Sequence, residues 1–146
     1  MYVEADKRRA LPPPRRVAQR TNAHRTEHAN QIIININSEQ PAALLAFYRD
    51  VVGLPRHPDS NREHTLIAAG AELVFDGHSE LHGRSPQPQR ILLNLFVDDL
   101  AAEQARIEAH GVTFIRTAGR EPWGGVISTF ADPDGNYCQL VEFRGG

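Results

Sequence analysis

The chain has 146 residues, 40% of them hydrophobic and 23% charged, which is the balance of one folded domain with a sizeable core. Its single cysteine, Cys138, excludes an intramolecular disulfide and a zinc site built from several thiolates. No apolar run is long enough to span a bilayer, and residues 1–28 hold seven basic against three acidic side chains while the remainder holds nine against fifteen, an acidic balance that speaks against nucleic-acid binding.

Residues 1–28 carry Pro12-Pro13-Pro14, many charges and no apolar periodicity, and read as a disordered basic tail ahead of a domain over 29–146. The tail lacks the apolar stretch of a secretory leader, and with a lone cysteine this sets the expected location in the cytoplasm. Its arginines would also suit an organelle-targeting peptide, against which stand Glu4, Asp6 and the absence of serine. Arginine outnumbers lysine 15 to 1, the bias of a GC-rich genome, so a bacterial source is expected.

Isoleucine-rich residues 31–37 predict a strand. Ile32, Ile34 and Ile36 would make its core face. Gln31, Ile33, Asn35 and Asn37 would make a mixed face of the kind that lines a cavity. Pro41 suits a first helical turn, after which Leu44, Leu45, Phe47, Tyr48, Val51 and Val52 recur at helical spacing and Gly53 ends the helix. Residues 62–69 and 71–77 predict a hairpin about Gly70, and 78–90 read as a linker. An apolar strand is expected over 91–97, then a helix opened by Asp98-Asp99, whose acids suit the helix dipole, and closed by Gly111. Strands over 112–117, 125–131 and 137–143 follow, with Asp132-Pro133-Asp134-Gly135-Asn136 as a tight turn. The order strand, helix, strands thus occurs twice, and two such halves would curl around a common cleft.

Phe47-Tyr48-Arg49-Asp50-Val51-Val52-Gly53-Leu54 resembles the helix end of the vicinal oxygen chelate superfamily. That superfamily includes glyoxalase I, bleomycin-resistance proteins, fosfomycin-resistance enzymes and extradiol dioxygenases. Val97-Asp98-Asp99-Leu100 with Gly111-Val112, and Glu121-Pro122-Trp123-Gly124 followed by Asp132-Pro133-Asp134-Gly135-Asn136, are similar to its later motifs. The resemblance covers about residues 30–144. It implies an α+β fold of two paired βαβββ modules forming a curved mixed sheet around a central cleft. It also implies a homodimer, since members often pair around a shared cleft.

Metal-dependent members place His or Gln on the first strand, Glu on the fourth, His on the fifth and Glu on the eighth. Carried onto this chain, those positions are Ile33, Glu72, Leu92 and Gln139. One carboxylate, one amide and two aliphatic side chains make a poor donor set for zinc, nickel or iron. Even with Gln31 shifted into place the set stays weak, so no metal or other cofactor is expected. The histidines read as surface or partly buried; His64, on a predicted strand, is the best of them, and with Glu72 it is the candidate for a catalytic base.

A metal-free cavity would be lined by Gln31, Ile33, Asn35, Leu92, Asn94, Phe96 and Gln139, with Trp123 at its mouth to stack on a planar ligand. Amides orient a ligand but exchange no proton readily at neutral pH, which favours binding over acid–base chemistry. Three functions stay open: a small-molecule binder that sequesters a planar hydrophobic compound or antibiotic, a lyase- or dioxygenase-type enzyme with atypical ligands, and a non-catalytic interaction domain. Neither a nucleic acid nor a membrane is expected as a partner.

Overall fold

The computed structural model describes residues 28–144, so all but the last residue of the expected basic tail lies outside the described part. The first strand, β1 (Ile33–Asn37), starts two residues later than the isoleucine run suggests. It is the edge of a three-stranded sheet ordered β1-β3-β2, parallel to β3 (Ala71–Asp76), which in turn runs antiparallel to β2 (Thr65–Ala68). The core face expected of this strand is only partly core. Ile36 packs on the core, but Ile34 is exposed, and Ile32, ahead of the strand, is 77% exposed. An edge strand has a neighbour on one side only, and among the described residues its N-terminal isoleucines find nothing to lie against.

Helix α1 (Pro41–Ala46) starts on its proline and runs directly into a π-helical segment, Phe47–Val52, closed by Gly53 in the left-handed region at φ 91°. Leu44, Tyr48 and Val52 are its buried side chains, spaced strictly by four. In a pure α-helix such a row drifts by about 40° per step, since each residue turns the helix by about 100°. Widening the last turns offsets that drift. The freed carbonyls of Val51 and Val52 accept hydrogen bonds from the Arg106 guanidinium at 2.9 and 2.8 Å.

Strands β2 and β3 are joined by the two-residue turn Ala69-Gly70, both residues at positive φ (45° and 91°), as a type I′ hairpin needs. The strand predicted over 62–69 is shorter than its pattern. Arg62 and His64 fall in the turn that precedes Thr65, so His64 is not a strand residue. On the outer side of β2 a single bridge, Arg56 to Leu66, stands where a fourth strand of the first half would lie.

The second half is a complete strand–helix–three-strand unit. It comprises β4 (Leu93–Phe96), α2 (Leu100–Glu108), β5 (Phe114–Arg120), β6 (Val126–Ala131) and β7 (Tyr137–Glu142). Its sheet is ordered β4-β7-β6-β5 with β4 parallel to β7. Asp99 caps α2 by accepting the Ala102 N–H at 3.0 Å. Among the described residues no helix is long and apolar enough to cross a membrane.

One core serves both halves. Leu44, Tyr48, Leu66, Leu73 and Phe75 of the first cluster with Leu100, Ile107, Phe114, Phe130 and Leu140 of the second. The Tyr48 ring lies 5.2 Å from Phe75, and the neighbouring Phe47 ring lies 6.2 Å from Phe130. The Tyr48 hydroxyl donates to Asp132 Oδ2 at 2.7 Å and lies 3.2 Å from Cys138 Sγ. Asp132, 3% exposed, also accepts the backbone N–H groups of Asp134 and Asn136 and the Asn136 side-chain amide. The helix end of one half is thereby latched to the turn before the last strand of the other.

Candidate site on the outward sheet faces

Because side chains alternate along a strand, each sheet turns one face to the shared core and the other away from it. The outward face of the first sheet carries Ile33 and Asn35 of β1, Glu72 and Val74 of β3, and Thr65 and Ile67 of β2. Ile33 stands beside Glu72, and Asn35 beside Val74. The outward face of the second sheet carries Asn94 and Phe96 of β4 beside Gln139 and Val141 of β7, with Thr129 of β6 next to Gln139. The Gln139 amide donates to Thr129 Oγ1 at 3.2 Å. Five of the lining residues read from the sequence thus sort into two groups, one per sheet: Ile33 and Asn35, beside Glu72, and Asn94, Phe96 and Gln139. Gln31 and Leu92 lie just ahead of β1 and β4 and are exposed. Two surface hollows lie elsewhere: about 360 Å³ beside Pro86, Pro88, Ile91 and Asn136, and about 270 Å³ beside Asn37, His78 and Leu81.

Glu72 is largely buried and already engaged. Arg62 Nη2 donates to its Oε2 at 2.5 Å, and His57 Nε2 lies 3.6 Å from its Oε1. Arg62 and His57 are themselves largely buried. Residues 55–57 bring His57 there, its backbone N–H bonding to Thr65 O along the outer edge of β2. The turn Asp59–Arg62, closed by an N–H···O bond of 3.0 Å, then folds Arg62 back onto the same face. Neither residue stood out in the sequence. Arg62 lies ten positions from Glu72, and only the hairpin and the turn bring them together. His64, the other candidate base, pairs instead with its neighbour Glu63 at 3.3 Å at the surface.

Trp123 sits at the tip of the β5–β6 hairpin, 50% exposed, with its indole stacked on Phe143 (centroids 6.1 Å apart, planes 18° apart). One face is thus taken. Its six-membered ring also lies across Gly125, where any Cβ would come within 1.7 Å of it.

The residues at the four positions where metal-dependent members hold their ion do not fit one here. Ile33 and Leu92 offer no donor, Gln139 offers only a neutral amide oxygen, and Glu72 is held by Arg62. Among the described residues no group of three or more His, Cys, Asp and Glu side chains stands close enough to hold an ion.

The family model of the Glyoxalase/Bleomycin resistance protein/Dioxygenase superfamily matches residues 27–140. A superfamily member from Sphaerobacter thermophilus superposes with a TM-score of 0.57 at 23% identity, over 77% of this chain and 97% of its own. A family enzyme from Burkholderia phytofirmans gives 0.58 at 21%, over 75% and 95%. Lactoylglutathione lyase from Agrobacterium tumefaciens gives 0.54 at 22%, over 80% and 96%. Likeness at these identities speaks for the fold. No curated protein matches the chain.

Proposed function

This chain belongs to the Glyoxalase/Bleomycin resistance protein/Dioxygenase superfamily, and from that premise we propose that it binds a small molecule without a metal ion, in a cleft completed by a second copy of itself. The observation that carries this reading is the pair of apolar sheet edges. Among the described residues β1 and β4 each hydrogen-bond on one side only, and the exposed large apolar residues Ile32, Ile33, Ile91, Leu92 and Phe96 lie on or just ahead of them. Such edges invite a neighbour. Under a two-fold axis β1 of one copy meets β4 of the other twice, so both edges are covered in one closed dimer. The same step brings Ile33 and Asn35 onto one continuous face with Asn94, Phe96 and Gln139. Apolar walls with a few amides suit a planar, largely hydrophobic compound. Phe96, 71% exposed in the single chain, would form part of that wall. The single free thiol is in keeping with a cytoplasmic home.

Catalysis, suggested by the lyase among its structural neighbours, is the less favoured reading. A carboxylate base must stand open to its substrate, whereas Glu72 has Arg62 bonded to Oε2 and His57 Nε2 3.6 Å from Oε1. Three measurements test the proposal: light scattering for mass, metal analysis of the purified protein, and titration with planar aromatic drugs followed by Trp123 fluorescence and equilibrium dialysis. The expected result is a metal-free dimer that binds. Ile32→Glu and Ile91→Glu are expected to yield folded monomers that no longer bind. A monomeric wild-type protein that still binds would sink the shared cleft, and one tightly held divalent ion per chain would sink the metal-free reading.

A further inference from the structure

We propose that Arg62 is a built-in cation that takes the place of a divalent metal ion on Glu72. A carboxylate as buried as Glu72 needs a positive partner or a full set of donors. Here the partner is covalently part of the chain: the Arg62 guanidinium meets Oε2 at 2.5 Å from within a largely buried environment. A guanidinium keeps its charge at any physiological pH and, unlike an ion, has no open coordination position to offer a substrate.

His57 is tied up in a complementary way. Its Nδ1 accepts the backbone N–H of Asp59 at 3.0 Å, so in the neutral ring the proton sits on Nε2, the nitrogen that faces Glu72 Oε1 at 3.6 Å. An imidazole binds a metal through a free lone pair. One lone pair of His57 is used by the Asp59 N–H and the other nitrogen carries the proton. With that tautomer the 3.3 Å approach of Arg62 Nη1 to Nε2 is a contact, not a hydrogen bond. The carboxylate and the imidazole nearest to the outward face are therefore both withheld from metal by the chain's own groups. Arg62 is the keystone, because removing it would leave Glu72 a buried charge in search of a cation, with an imidazole beside it.

The test uses the full-length protein stripped with chelator, its melting temperature read with and without zinc ion. Wild type is expected to show no zinc-dependent rise. Arg62→Met is expected to show one, Arg62→Lys, which keeps a cation, to show none, and Arg62→Met/Glu72→Gln to lose the gain. Folded Arg62→Met without a zinc response would overturn the inference, as would a wild-type zinc response that Glu72→Gln abolishes. If Arg62→Met does not fold, the double variant, which removes both charges, is expected to recover the fold, and its failure to do so would equally overturn the inference. It stands apart from the ligand and the dimer: a zinc ion held by wild type but indifferent to Glu72→Gln would refute the metal-free reading above and leave the role of Arg62 intact.

Discussion

The most family-like side chains of this protein hold the fold together. Tyr48 and Asp132 come from separate motifs, yet they meet in the core at 2.7 Å, with Cys138 at 3.2 Å from the same hydroxyl. Tyr48→Phe keeps the ring but deprives a buried carboxylate of one of its four donors. A loss of about 1.5–3 kcal/mol is expected from urea unfolding, the range for a hydrogen bond to a charged partner. Burial, with the charge of Asp132 acting in the same direction, pushes the Cys138 thiol up to about 12 from its ordinary 9.0. The folded chain therefore holds this proton where the unfolded chain releases it. That contribution to stability is full below pH 9 and is lost as pH rises towards 12. Burial also drives the Tyr48 hydroxyl far above its ordinary value, which adds a loss in the same direction above pH 10. The urea midpoint should fall from pH 9 upward, and Cys138→Ala should delay the onset. At pH 8 the native thiol should resist alkylation and react only once the protein is unfolded. These roles were half legible in the sequence. The motif letters marked Tyr48 and Asp132 without saying that they touch, and nothing in the letters marked Arg62 or His57.

Among the elements, the hairpin β2–β3 was readable because Gly70 interrupts two apolar runs, but its turn carries a strain that the run itself hides. Ala69 sits at φ 45°, where an L-residue with a plain Cβ is disfavoured and where asparagine is tolerated. Ala69 is exposed, so Ala69→Asn disturbs no packing and should raise stability by about 1 kcal/mol, measurable as a higher urea midpoint. Helix α1 was readable from its apolar spacing, whereas its π-helical ending was not. The row Leu44, Tyr48, Val52 fits one helical stripe in any approximate reading, and only the packing of Tyr48 against both halves makes the widened turn worthwhile. The strands β1 and β4 came out shorter than their apolar runs. Periodicity reports which residues would like to be buried, while an edge strand is ordered only as far as its one neighbour, β3 or β7, extends alongside it.

On the scale of the whole molecule the two halves are one folding unit, because a single core joins them and each contributes residues that the other buries. Trp123 lies in the second half, whereas far-UV circular dichroism reports both. The two signals should trace the same urea transition, and separate midpoints would mean that the halves unfold independently. The sequence by itself determined the α+β class, the order of elements, the family and the poverty of the four metal positions. Each of these rests on residue type and local spacing, which need no knowledge of what lies across a sheet. Only the tertiary structure decided that Glu72 belongs to Arg62 and His57, that Trp123 already leans on Phe143, and that five of the expected lining residues divide between two outward faces. Those outcomes depend on register and on which way each face turns. A shift of one residue reverses a side chain, and contacts ten or ninety positions apart leave no mark in a periodicity.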